Sequence, residues 1–502
     1  MSVRTITGAI EGVDLPNGVE AFLGIPYAKP PVGDLRWKPP VALGPSNQTI
    51  RCDEFGASAM QFEDPVEPAS LHRQSEDCLT LNVWRPAGHD SARDEALPVM
   101  VYIHGGAYFS GGSADPLYNG ANFVAEHPVI MVSLNYRINL FGSLCLDVLP
   151  GGEDYEEAGY LNILDQICAL RWINDNIAAF GGDPGTITLF GESAGSSSAA
   201  LLSVCPAAKG LFRRVIMESG PIDLYKTPEK GAPYARELME ILGCENVGQM
   251  VAKNADELIE AMQVLCDRHP FEVSLTYAPV CDGTLLPRKP MKAWKEGAAK
   301  DIQFMIGSTE DEFNYFKFYF KPEDMPAFWG GQTPFHFDGE LDIRDWEKVF
   351  AEAYPELDLI ENYIEFMNQT GFRVMGDYMA EMQSAYNPVY DYLFRYKSTI
   401  EGMGSCHAIE VPFVLHNLDT PNGLEFTGPN PPEHLSQEMG DCWYSFAKRG
   451  VPVMPDGTPW LPYTAEFHAA MVIDEKAWIQ ERDINEKNNG LFRDMCDVLT
   501  NE

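Results

Sequence analysis

The segment Gly191-Glu192-Ser193-Ala194-Gly195 combines residue types suited to covalent catalysis. It follows an apolar run with strand character, Thr186–Phe190, and opens a helical run, Ser196–Val204. Strand, tight turn, serine and helix in that order form the context of a nucleophile elbow. The serine there needs a strained backbone that pushes its hydroxyl outward. The flanking glycines leave room where side chains would strike the neighbouring strand and helix. The helix start behind Ser193 also favours developing negative charge. A second small-residue segment, His104-Gly105-Gly106-Ala107, directly follows the apolar run Val99–Ile103. Backbone N–H groups at such a strand end suit an oxyanion, although the same residues also suit a plain tight turn.

A serine nucleophile needs a base, and the base needs an acid to orient it. Among the 10 histidines, His407 follows the strand-like run Val389–Tyr396 after the loop Glu401–Cys406, with His416 and His434 as rivals. His104 lies too close to the oxyanion turn and reads as structural. After an elbow serine, the acid precedes the histidine in chain order. Glu310-Asp311-Glu312, beyond the run Ile302–Ile306 and an expected turn at Gly307-Ser308, occupies that place. Residue types alone do not choose among the three.

The elements that must position these residues are legible as alternation. Short apolar runs (Val99–Ile103, Val129–Leu134, Thr186–Phe190, Arg214–Met217, Ile302–Ile306, Val389–Tyr396) alternate with longer helical patterns. This predicts the α/β class, with a mostly parallel central sheet flanked by helices. Ile163, Ile167, Leu170, Ile173, Ile177 and Phe180 mark one buried helix face, which Gly181-Gly182 ends. From about 320 to 385, proline and glycine give way to helical segments around Trp346–Tyr354 and Leu359–Gln369. The expectation is a cap-like helical insertion within a single catalytic domain spanning 1–502.

Lys+Arg number 36 against Asp+Glu 74, a formal net charge of −38, which argues against nucleic-acid partners and anionic membrane surfaces. Hydrophobic residues at 45% and charged residues at 22% are ordinary globular values. No apolar run approaches the roughly 18 residues of a membrane helix, and the start Met1–Thr7 lacks a signal-type apolar stretch. No membrane insertion is expected. The 11 cysteines include no CxxC pair and no zinc spacing, so no metal site is expected.

Taken together, the motifs resemble the type-B carboxylesterase family, which includes cholinesterases and bacterial para-nitrobenzyl-type esterases. The likeness runs through Phe22–Ala28, Pro30–Trp37, Ser75–Leu79, Asn135-Tyr136-Arg137, Phe180–Pro184, the Ser193 elbow and Trp460–Tyr463. The resemblance implies an α/β-hydrolase fold with insertions and a serine carboxylic-ester hydrolase acting on small to medium apolar esters. It implies Ser193 as nucleophile, Glu312 as acid and His407 as base. The oxyanion hole falls on the N–H groups of Gly106, Ala107 and Ala194, with clearance from Gly105. Glu192 and Ser219 support the site from behind, and Arg36–Glu76 and Arg137–Asp165 form structural ion pairs.

The resemblance also implies a small-molecule ester as partner, no cofactor, and a monomer or weak oligomer. An adhesion protein of the same fold that has lost catalysis is the rival class, and all three triad positions are filled here. Secreted relatives close disulfides onto Cys78 and Cys244, whose partner positions here are Ala59 and Ala261. A reducing, cytoplasmic compartment is therefore expected. No Trp lies between Trp37 and Trp84, which removes the expected choline-holding residue.

Overall fold

The computed structural model describes residues 1–62, 72–89, 91–269, 276–318 and 343–500. Its strands are β1 (Ser2–Thr5), β2 (Gly8–Glu11), β3 (Val13–Leu15), β4 (Val19–Pro26), β5 (Thr49–Arg51), β6 (Thr80–Pro86) and β7 (Val99–Ile103). They continue with β8 (Ile130–Leu134), β9 (Thr188–Glu192), β10 (Arg214–Glu218), β11 (Gln303–Thr309), β12 (Val389–Phe394), β13 (Ala469–Ile473) and β14 (Trp478–Arg482). The main sheet runs β14-β13-β12-β11-β10-β9-β7-β8-β6-β4-β3, and β1, β2 and β5 form a small separate sheet. From β8 across to β13 all neighbours are parallel, while β14, β6, β4 and β3 pair antiparallel at the margins.

Parallel strands covered on both faces read as unbroken apolar runs, which is why β7 and β8 stood out in the sequence. Along β7, Val99, Val101 and Ile103 face one apolar cluster, and Met100 and Tyr102 face the other. The first cluster is completed by the helices Leu161–Asn176, Ala194–Val204 and Val374–Ser384. The second takes Phe123 from the short helix Ala121–Glu126, and Trp443 and Phe446 from the helix Glu433–Arg449.

Several boundaries differ from the sequence expectation. β9 begins at Thr188 because Pro184–Thr186 form a 3-10 turn capped by the Asp183 side chain on the Gly185 N–H. It then runs through Gly191 and Glu192 directly into Ser193. Gly307 and Ser308 are not a turn: they stay in β11, paired with Tyr392 and Leu393 of β12. A Cβ at Gly307 would collide with the Tyr392 ring, so glycine lets that ring lie over the strand. The Leu161–Asn176 helix passes into a 3-10 turn, Ile177–Phe180, ended by left-handed Gly181 at φ 94°.

Within the expected insertion, helices occupy Ile343–Ala353, Leu359–Asn368 and Val374–Ser384. The last is buried against the sheet through Val374, Met375 and Met379. Residues 319–342 lie outside the described residues. Both expected ion pairs form in bidentate geometry, Arg36–Glu76 at 2.5 and 2.7 Å and Arg137–Asp165 at 2.6 and 2.7 Å. Asp165 is fully buried, and removing one member of such a pair costs about 3–5 kcal/mol.

Candidate active site

The parallel strands bring the chemical residues to one edge. His104 directly follows β7, Ser193 follows β9, Ser219 follows β10 and Glu310 follows β11, while the loop after β12 carries His407. Carboxyl ends of parallel strands are the usual ligand crevice of α/β sheets.

Ser193 has φ 56° and ψ −123°, a conformation outside the ordinary regions for an L residue. Its N–H donates to the Glu218 carbonyl at 2.9 Å, which ties the turn to β10. A Cβ at Gly191 or Gly195 would run into the Ile103 carbonyl, so both glycines are sterically required. Gly220, which the motif did not flag, meets the Ser193 carbonyl in the same way. The expected oxyanion segment is bent sharply, with positive φ at Gly106 (94°), Ala107 (53°) and Tyr108 (58°). A Cβ at Gly105 would lie 2.8 Å from the Glu192 carbonyl and 3.3 Å from the Ser193 Cβ. Glycine there keeps the two turns in contact. Ala194 is the first residue of the helix behind Ser193.

The three candidate acids separate cleanly. Glu312 is fully buried, its Oε2 lies 2.6 Å from His407 Nδ1, and its Oε1 accepts the Thr309 N–H at 2.7 Å. Asp311 accepts the Ser405 N–H at 2.8 Å and so pins the histidine loop. Glu310 pairs at the surface with Arg395 (2.7 Å) and Lys397 (3.2 Å). The histidines separate as well. His407 is buried and joins Glu312, whereas His434 Nε2 lies on the Glu475 carbonyl and His416 meets Ser436. His104 stacks on Tyr136, with ring centroids 4.5 Å apart, and burial lowers it to about 4, so it is a neutral structural residue.

His407 Nε2 lies 2.9 Å from Glu192 Oε1. Burial alone would push this imidazole down, but the Glu192 and Glu312 carboxylates hold it well above the usual histidine range. Burial pushes the Glu192 carboxyl up, and His407 pulls against that shift. Behind them Ser219, expected as a supporting residue, meets a layer of Glu218, Glu410 and Trp443 that the sequence reading missed. Ser219 Oγ donates to Glu410 Oε1 at 3.2 Å, and Trp443 Nε1 donates to Glu218 Oε1 at 2.7 Å. Burial raises Glu218 to about 8 and, together with the neighbouring carboxylates, raises Glu410 well above the carboxylate range, which favours the protonated form of each. Glu410 stands three residues after His407, near enough in sequence for the link to have been suspected.

Of the aromatic run after the acid, Phe313 is core and Phe316 meets the His407 ring at 5.4 Å. Tyr315 stacks on Phe426, 5.6 Å between centroids. Tyr319, Phe320 and the Phe318 side chain lie outside the described residues. Phe372, not foreseen, lies 5.0 Å from His407 by ring centroid. Among the described residues, no group of three or more His, Cys, Asp or Glu side chains is arranged to hold a metal ion, and no helix is long and apolar enough to cross a membrane.

Comparison with known proteins finds likeness along nearly the whole chain. The para-nitrobenzyl esterase of Bacillus subtilis (strain 168) is 35% identical over 508 residues, covering 98% of each chain. An acetylcholinesterase of Bungarus fasciatus is 31% identical over 517 residues, covering 93% of this chain and 81% of that protein. The crystal structure of a Geobacillus stearothermophilus carboxylesterase superposes with TM-score 0.84 at 34% identity, covering 98% of this chain and 99% of the other. The carboxylesterase family pattern matches residues 1–491, and the chain belongs to that family as a carboxylic-ester hydrolase of α/β-hydrolase fold.

Proposed function

We propose that this protein is a serine esterase working through Ser193, His407 and Glu312 on small to medium apolar esters. The observation that carries the reading is His407, gripped by Glu312 through Nδ1 and by Glu192 through Nε2, one residue from the strained Ser193. The charged imidazolium donates its Nδ1 proton to Glu312, and the Glu192 carboxylate, 2.9 Å from Nε2, pairs with its charge. Once it loses the Nε2 proton, that nitrogen becomes a bare lone pair, which the Glu192 carboxylate repels. It is then free to accept from the Ser193 hydroxyl, while Glu312 keeps the Nδ1 proton in place.

Ser193 Oγ attacks the ester carbonyl carbon, and its proton passes to Nε2 of His407. The tetrahedral oxyanion accepts from the N–H groups of Gly106, Ala107 and Ala194, each such donor being worth about 2.7–4 kcal/mol. The carbon–oxygen bond to the alcohol breaks, and His407 returns its proton to the leaving oxygen. Water then gives a proton to His407 and attacks the acyl carbonyl; the bond to Ser193 Oγ breaks and His407 returns the proton to that oxygen, which releases the carboxylic acid and restores both residues. Phe316 and Phe372, on the His407 ring, supply apolar walls for the substrate.

The catalytic unit is a single domain with the 343–385 helices packed onto it. A monomer or weak oligomer suffices, since the triad residues come from one chain. The partner positions Ala59 and Ala261, with 11 free thiols, favour a reducing, cytoplasmic setting. A panel of p-nitrophenyl esters of rising chain length, with an anilide and a thioester, tests the reading. Efficient turnover of short apolar esters that Ser193→Ala abolishes is expected. Full activity in that variant, or preference for the anilide or thioester, would refute it.

A further inference from the structure

A second pair of histidines lies on the other face of the sheet, outside the machinery described above. His127 follows the short helix Ala121–Glu126, and His416 follows the turn Val411–Val414 at φ 58°. Their ring centroids are 5.7 Å apart, with Phe123 beside both at 4.6 and 5.8 Å. The Tyr444 ring stacks on His127 at 5.1 Å.

A hydrogen bond fixes where the His416 proton sits. The single Ser436 hydroxyl proton goes to the Phe413 carbonyl at 2.7 Å, so Ser436 Oγ accepts from His416 Nδ1 at 2.9 Å. His416 therefore carries its proton on Nδ1, and its Nε2 is a bare lone pair. The Asp441 carboxylate, 3.7 Å from His127 Nδ1, favours the same tautomer there. Both Nε2 atoms are shielded from solvent and have no hydrogen-bond partner. They also converge. A Cβ on Gly440 would collide with Nε2 of His416 and stand 2.9 Å from Nε2 of His127. Glycine at 440 leaves out the side chain that would occupy the point on which both Nε2 atoms converge.

Two lone pairs cannot satisfy each other; the space between them calls for an electron-pair acceptor. We propose that His127 and His416 form a binding site for a divalent transition-metal ion of the imidazole-preferring class, Zn²⁺, Ni²⁺ or Cu²⁺. Nδ1 held by a hydroxyl or carboxylate with Nε2 left free is the outer-shell arrangement of metal-binding histidines. Water completes the coordination on the side where His416 is partly exposed. The ion would tie the 121–127 segment to the 411–416 segment, two regions remote in sequence.

Equilibrium dialysis of the full chain against Zn²⁺, with Mg²⁺ as control, tests this. Wild type should retain one Zn²⁺ that His127→Gln and His416→Gln each weaken at least tenfold. His434→Gln, at an exposed histidine elsewhere, should retain it. Ester turnover verifies that each variant is folded. Should buried His127 prove indispensable for folding, the partly exposed His416 carries the test alone. Absence of Zn²⁺ binding, or unchanged binding in a folded His416→Gln, would overturn the proposal and leave a water donating to both nitrogens.

Discussion

Two buried imidazole sites, built from the same residue, are driven to opposite protonation states by their partners. His407 has a carboxylate on each ring nitrogen, and Glu192 and Glu312 hold its proton against the cost of burial. His127 and His416 have aromatic walls and no carboxylate on Nε2, so burial prevails and lowers both to about 4. Among the described residues, only Asp441, itself 60% exposed, faces that pair with a charge. Burial fixes how much electrostatics matters, and the partner at each nitrogen fixes its sign.

Removing the acid should break the contrast most. Glu312→Gln leaves the shape but mis-sets the His407 tautomer, and kcat is expected to fall by about 10,000-fold. His416→Gln should leave kcat within a factor of two, and steady-state kinetics on one p-nitrophenyl ester measures both. The second change acts on Glu192. His407 must be neutral to act as a base, so its raised pKa means activity is lost as pH falls through a value above 6.5. Glu192→Gln removes the leading cause of that rise. The acidic limb of kcat/KM against pH should then move to lower pH by about one unit or more, and an unmoved limb would contradict the assignment.

Stability should respond in opposite senses at the two sites. At His407 the folded pKa is raised, so its contribution is full below about 6.5 and lost as pH climbs through the folded value. At His127 and His416 the folded values are depressed. Unfolding there takes up protons between about pH 6.5 and 4, and stability falls as pH drops through that window. Urea unfolding across this range should show a flatter acid limb for His416→Gln than for wild type. The smallest expected effect comes from the net charge of −38. Added salt should raise kcat/KM for an anionic ester and lower it for a cationic one, each a few-fold. Identical salt responses would remove the long-range field from the account.

Much of the site was legible because its determinants are local. The elbow, the oxyanion turn and the parallel strands are written in runs of five to ten residues. Choosing Glu312 over its neighbours rested on likeness to a family, because the choice physically depends on a 3-10 turn, Glu312–Asn314, that swings one of three adjacent acids inward. The marginal strands were missed for a different reason. β3 has three residues and β14, Trp478–Arg482, buries only Trp478, so neither gives the unbroken apolar run of a central strand. Glu218, Glu410 and Trp443 were illegible as a unit because their contacts span up to 225 residues. Phe372 reaches His407 from the far side of the 319–342 segment.

The central claim is that Ser193 is the nucleophile. Labelling the native protein with a fluorophosphonate, then digesting it and locating the adduct by mass spectrometry, tests this most directly. One equivalent on the peptide bearing Gly191-Glu192-Ser193-Ala194-Gly195, with parallel loss of ester turnover, is the predicted result. Inactivation with the adduct on another residue, or turnover that persists after Ser193 is fully labelled, would contradict it.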